Sequence, residues 1–247
     1  MKKSLGQHFL TNPKIHEAIV EAAEIKPGDF VVEVGPGSGL LTDHLLAAGT
    51  KILAIEKDRD FVVQLREKYR DNPQIEITYA DILTFDPSFA IRHSNFVIVG
   101  NIPYYLTSHL LRKILQEWPT PRTIVFMIQK EVARRMTAKP PNMNMLAVLV
   151  QYYSVPSIIK IVKAGNFRPI PKVNSAIVKL TPSRPPPWGE VPQAEGVLDV
   201  ASRGFKNPRK KLSNNLPKEL IEQAGIDPNR RAETLTVDEW KTLAGMV

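Results

Sequence analysis

The stretch "VVEVGPGSGLLT", Val31–Thr42, decides the fold. An apolar run ends at Val34, the chain turns through glycines 35, 37 and 39, and a helical stretch follows. Glycines at such a turn let the backbone bend tightly and approach a ligand closely. A strand feeding a helix through a glycine-rich turn opens a βαβ unit.

The rest of the chain repeats that alternation. Apolar runs at Phe30–Val34, Lys51–Glu56, Ile75–Tyr79, Phe96–Gly100, Thr123–Ile128, Ile158–Lys163 and Ala176–Leu180 predict strands. Amphipathic stretches at Leu40–Ala48, Asp60–Arg70 and Ser108–Glu117, with a short piece at Pro87–Arg92, predict helices between the first five. Lys130–Met136 and Met145–Tyr153 predict two more. A helix also precedes the first strand, with Asn12 as N-cap and Pro13 at its first position. Such alternation implies an α/β fold with a parallel sheet covered on both faces. The stretch "AGNFRPIP" between the last two strands is too rich in proline for a helical crossover, so an antiparallel pairing is expected there. The run "TPSRPPPWGEVP" reads as a linker. The expected division is therefore a larger domain over residues 1–183 and a linker with a small helical domain over 184–247.

The 247 residues contain no cysteine, which excludes disulfides, thiolate metal sites and cysteine nucleophiles. No apolar stretch reaches the roughly 18 residues a membrane span needs. The opening "MKKSLGQHFL" is interrupted by Gln7 and His8 and does not read as a signal peptide, so a cytoplasmic protein is expected. Net charge is +8, and its distribution is one-sided: no acid occurs from Val132 to Gly189. That segment carries Arg134, Arg135, Arg168 and Lys172 among its basic residues, and "RGFKNPRKK" adds Lys206, Arg209, Lys210 and Lys211. Basic segments of this kind favour a polyanion through counterion release. Nucleic acid is the expected partner, against a merely solvated basic surface.

Two acids support the glycine loop. Glu56 ends the second predicted strand, where a carboxylate can accept from ribose hydroxyls. Asp81, in "YADIL", follows the third and is placed to accept from an adenine amino group. A dinucleotide fingerprint wants a glycine at position 40, which is Leu40 here. The spacing suits an adenosine ligand without phosphates, such as S-adenosylmethionine. A tight turn beside solvated acids is the competing reading.

The fourth predicted strand ends in "GNIPY". The amino group of a base is a poor nucleophile because its lone pair is delocalised into the ring. The Asn101 side-chain oxygen and the Ile102 carbonyl can accept its hydrogens and aim that lone pair. Pro103 restricts the backbone there, and Tyr104 can stack on the base. Phe167, in the loop between the last two strands, is a candidate for the opposite face. An ordinary turn with Tyr104 packed over it remains the alternative.

These residues together closely resemble the ribosomal RNA adenine N6,N6-dimethyltransferases. "KKSLGQHFL", "EVGPGSGLLT", "AIEKD", "YADIL", "GNIPY" and "FRPIPKVNSAIV" follow in that family's order. The resemblance implies a Rossmann-like class I methyltransferase fold. It would have a seven-stranded, mostly parallel sheet with the last strand antiparallel, and a small helical C-terminal domain that binds rRNA. It also implies cofactor contacts at His8, Leu10, Gly35, Gly37, Glu56, Asp81 and Asn101, with His8 standing where asparagine is common. No metal is implied. "SLGQHFL", "FKNPRKKLSNNL" and "NRRAETLTVDEW" resemble the branch that dimethylates two adjacent adenines near the 3′ end of small-subunit rRNA during ribosome maturation. The implied partner is the immature 30S subunit, met by a monomer. "NIPY" and "PKVNS" also resemble the branch that modifies large-subunit rRNA and confers macrolide resistance. "KPPNMNMLAV" departs from the family in lacking a glycine before its apolar segment. A non-catalytic assembly factor of the same fold is a further alternative, which intact Asn101 and Tyr104 argue against. A nicotinamide dehydrogenase would need a hydride acceptor site that the sequence does not offer.

Overall fold

The computed structural model describes residues 9–88, 95–183 and 191–246. Its strands are β1 (Phe9–Leu10), β2 (Phe30–Val34), β3 (Lys51–Glu56), β4 (Ile75–Tyr79), β5 (Phe96–Asn101), β6 (Thr123–Gln129), β7 (Ser154–Val162), β8 (Phe167–Arg168) and β9 (Ser175–Pro182). The helices are α1 (Pro13–Ala22), α2 (Leu40–Ala47), α3 (Arg59–Lys68), α4 (Thr107–Glu117), α5 (Lys130–Met136), α6 (Met145–Tyr153), α7 (Val191–Gly204), α8 (Lys218–Gln223) and α9 (Val237–Ala244).

Seven strands form one sheet in the order β4-β3-β2-β5-β6-β9-β7. β2, β3, β4, β5 and β6 run parallel, and β9 is antiparallel to β6. Seven strands, mostly parallel with the last one antiparallel, are the expected sheet; the strand order is new. β5 is buried along Phe96–Gly100, which is why its sequence is continuously apolar rather than alternating. Strand order reverses between β2 and β5, the position at which open α/β sheets hold ligands at their carboxyl ends. Val34 is in register with Gly100, so the glycine loop and "NIPY" leave the sheet side by side.

Asn12 caps α1 as expected, its side-chain oxygen accepting from the Lys14 N–H at 3.1 Å, with Pro13 following. β7 begins at Ser154, four residues before the expected start. Pro156 within it is tolerated because β7 lies at the sheet edge, where one side of the strand needs no ladder partner. Pro87 and Ser88 lie in a turn, and the remainder of the expected short helix is outside the described residues. β1 and β8 form a separate antiparallel ribbon, Leu10 opposite Phe167, that the sequence does not announce.

The chain separates into two compact units. One comprises the residues up to 133 with 157–182, the other 134–156 with 183–247. The core of the second unit joins Met143, Ala147, Val148 and Leu149 to Val197, Val200, Leu212, Ile221, Leu235 and Trp240. A reciprocal capping box between Thr236 and Glu239 starts α9, which carries the fully buried Trp240 into that core. No helix among the described residues is long and apolar enough to cross a membrane.

Candidate active site

An open cleft lies at the carboxyl ends of β2 and β5. Of the residues singled out in the sequence, Leu10, Gly35, Gly37, Glu56, Asn101, Ile102, Pro103, Tyr104 and Phe167 all line it. Asp81 lines an adjoining recess with Lys57, Ile82 and Tyr105, and Gly35, Glu56 and Pro103 border both spaces. His8 lies outside the described residues.

The glycine loop is built for close approach. Gly35 has φ +66°, and a Cβ there would meet no described atom within 4 Å, so the loop backbone faces open space. Gly39 is needed for a different reason. At φ +79° its Cβ would fall 2.7 Å from the Tyr69 hydroxyl. That hydroxyl lies 2.7 Å from Asp43 Oδ1 and 3.0 Å from the Gly39 carbonyl, and its one proton, donated to either acceptor, fastens the loop to α3.

Glu56 organises the loop from below. Its Oε2 accepts the Gly37 N–H at 3.0 Å, and its Oε1 accepts the N–H groups of Lys57 and Asp58 at 2.8 Å each. Burial pushes this carboxyl upward in pKa, and the Asp58, Gly37 and Lys57 amides oppose that shift. Each carboxylate oxygen has two lone pairs, so Oε2 retains capacity for a hydroxyl donor facing the cleft. Asp81 is engaged differently. Its Oδ1 accepts the Leu83 N–H at 3.0 Å, while the Lys57 ammonium sits 2.5 Å from Oδ2 and holds the carboxyl below its usual range. An adenine amino group arriving there meets an acceptor already shared with a cation. The open loop and the hydroxyl-accepting acid fit an adenosine ligand.

On the other wall, the Ile102 N–H donates to the Met127 carbonyl at 3.0 Å, which fixes the backbone just before Pro103. Tyr104 is half-buried, with its hydroxyl 3.0 Å from Ser175 Oγ. Phe167 is 1% exposed and packs in a core with Leu10, its partner across the ribbon. Thr11 and Asn12 fasten that ribbon by donating to Asn166: the Thr11 N–H to its carbonyl at 2.9 Å, and Asn12 Nδ2 to its Oδ1 at 2.8 Å.

Two cleft residues escape a reading by motif. Glu33 is buried next to the carboxyl end of β2, accepts from the Thr42 hydroxyl at 2.7 Å, and is pushed by burial to a pKa of about 8. An acid inside an otherwise apolar strand was the available signal. His16, on α1, belongs to none of the motifs. It is 5% exposed, lines the cleft and meets the His44 ring edge-on at 5.2 Å. Burial, reinforced by His44 and opposed by Asp43, lowers its pKa from 6.5 to about 4.

That shift predicts an acid-sensitive fold. The unfolded histidine binds its proton near pH 6.5 and the folded one only near pH 4, so stability falls as pH drops through that window. The loss attributable to His16 reaches about 3 kcal/mol by pH 4. His16→Leu is expected to flatten the melting temperature between pH 6.5 and 4.5 relative to the parent. Parallel melting curves for the two proteins would contradict this assignment.

The basic residues divide between the units, and all are exposed. Arg168 and Lys172 belong to the sheet unit. Arg134, Arg135, Lys206, Arg209, Lys210 and Lys211 belong to the helical unit, where Lys211 donates to the Asn229 side chain at 2.8 Å.

Residues 1–247 match the family described as "Ribosomal RNA adenine dimethylase". A curated relative from Dehalococcoides mccartyi, named ribosomal RNA small subunit methyltransferase A, is 39% identical, over 98% of this chain and 87% of its own. Among solved structures, the 23S rRNA methyltransferase ErmE superposes with a TM-score of 0.76 at 28% identity, over 96% of this chain and 98% of its own. A dimethyladenosine transferase from Plasmodium falciparum gives a TM-score of 0.80 at 25% identity, over 96% of both chains.

Proposed function

The chain belongs to the ribosomal RNA adenine dimethylase family, and from that membership we propose that it dimethylates the N6 amino groups of two adjacent adenines near the 3′ end of small-subunit rRNA, with S-adenosylmethionine as methyl donor. The observation that carries this reading is the meeting of two loops at the sheet's switch point. The loop organised by Glu56 and the Asn101–Tyr104 segment leave neighbouring strands and line one cleft.

When bound, S-adenosylmethionine supplies an electrophilic methyl group. The protein's own part is binding and orientation. Glu56 accepts from ribose hydroxyls, Asp81 accepts from the adenine amino group, and the glycine loop lets the ligand lie against backbone. Leu10 borders the methionine end, to which the family resemblance also assigns His8. Asn101 and the Ile102 carbonyl take the hydrogens of the target amine and direct its lone pair. Pro103 fixes the backbone that carries them, and Tyr104 and Phe167 bound the base. No strong general base is required, because the methylated ammonium is acidic enough to lose its proton to water. Rate enhancement then comes from proximity and electrostatic orientation. A helical adenine must be presented single-stranded or turned out to enter.

Arg134, Arg135, Arg168, Lys172, Lys206, Arg209, Lys210 and Lys211 are proposed to contact phosphates, with residues 184–247 forming the rRNA-binding part. The protein is taken as a cytoplasmic monomer acting on immature 30S subunits. The name and higher identity of the small-subunit relative favour that substrate over the large subunit.

Incubation with labelled S-adenosylmethionine and unmethylated small subunits tests the reading. Label is expected in small-subunit rRNA as N6,N6-dimethyladenosine. Unlabelled RNA despite measurable subunit binding would favour an assembly factor without chemistry.

A further inference from the structure

Two aromatic walls can bound a flat base only if their separation is fixed. Tyr104 stands on a half-exposed loop just after β5, and Phe167 follows a 3₁₀ turn at Ala164–Asn166. Both are tied to one dipeptide. Ser175, 1% exposed at the first position of β9, lies 3.0 Å from the Tyr104 hydroxyl. Its neighbour Asn174 accepts the Ala164 N–H on its side-chain oxygen at 3.0 Å, at the start of the turn leading to Phe167. The dipeptide is itself anchored: the Asn174 carbonyl accepts the Lys130 N–H at 3.0 Å, and Ser175 is in register with Gln129 of β6.

We propose that Asn174 and Ser175 are positioning residues that set the base-binding geometry, Ser175 by holding the Tyr104 phenol and Asn174 by holding the turn that presents Phe167. Neither needs to touch the base. The sheet holds the dipeptide, and the dipeptide holds the rings. A tethered phenol has its rotamer chosen before the substrate arrives, so less ordering cost falls on the reactive complex. Either hydroxyl can donate in the Tyr104–Ser175 bond without changing this role. The inference rests on the dimethyltransferase reading and adds to it the support of the base pocket.

The test is methyl transfer to unmethylated small subunits by Ser175→Ala, by Tyr104→Phe, which breaks the same bond from the loop side, and by the double variant. Each single variant is expected to lower kcat about tenfold, the size of one hydrogen bond lost from the reactive arrangement. The double variant should be no slower than the slower single. Melting temperature should fall by no more than about a few degrees, the cost of one hydrogen bond, and affinity for S-adenosylhomocysteine should stay at the parent's value. Asn174→Ala should also lower kcat, and Asn174→Asp, which keeps the accepting oxygen, should restore it. Should Ser175→Ala fail to fold, Tyr104→Phe and the Asn174 pair still decide the matter. Parent-like kcat in Ser175→Ala or Tyr104→Phe, or losses that multiply in the double variant, would overturn the proposal. Failure of the unmodified protein to label rRNA would instead strike at the activity itself.

Discussion

Asn101→Ala is expected to lower the rate of methyl transfer by a hundredfold or more while leaving subunit binding largely intact. Asn101 ends β5 beside the glycine loop and lines the cleft. Loss of one preorganised group at a reacting centre typically costs about 10²–10³ in rate, or roughly 2.7–4 kcal/mol of barrier. Its position is only partly buried, so truncation removes little packing. Asn101→Asp keeps an accepting oxygen and is expected to retain more activity than the alanine variant. Single-turnover transfer, measured beside subunit binding, checks both. Equal rates in Asn101→Ala and the parent would remove the proposed orientation of the amine.

Glu56→Ala should have the next largest effect, on cofactor affinity rather than on RNA. Glu56 is 5% exposed and holds three backbone amides in place, so its loss both removes the ribose acceptor and frees the Gly37 end of the loop. Hydrogen bonds to a charged group are worth about 1.5–3 kcal/mol each, so losing even one or two predicts weakening of about a hundredfold. Calorimetric titration with S-adenosylhomocysteine measures it. A change of less than threefold would mean that the nucleoside is held elsewhere.

Much of this site was legible because its parts are local. A buried strand declares itself by a continuous apolar run, and glycine or proline marks where it stops, so Gly35 and the Asn101–Tyr104 segment fall at strand ends without reference to the rest of the fold. The mostly parallel character of the sheet followed from the same alternation, whereas the order of its strands did not. What sequence could not supply was partnership between distant segments. Two-residue strands carry no period, so the pairing of Leu10 with Phe167 left no trace. The apolar helix "MLAVLVQYY" reads equally well into either core, and its packing with Trp240 and Val197 is a tertiary choice. Pro156 hid the start of β7 because an edge position cannot be inferred locally. The Lys57 ammonium on Asp81 and the Ser175 hydroxyl on Tyr104 each join residues far apart in the chain.

This chain is proposed to place two methyl groups on each of two neighbouring small-subunit adenines. Mass mapping of modified nucleotides in rRNA from cells with and without the protein tests it most directly. Paired N6,N6-dimethyladenosines near the 3′ end of small-subunit rRNA are expected to vanish when the protein is absent and to return with the intact chain but not with Asn101→Ala. Identical maps in both cells, or a modification lost from large-subunit rRNA instead, would contradict it.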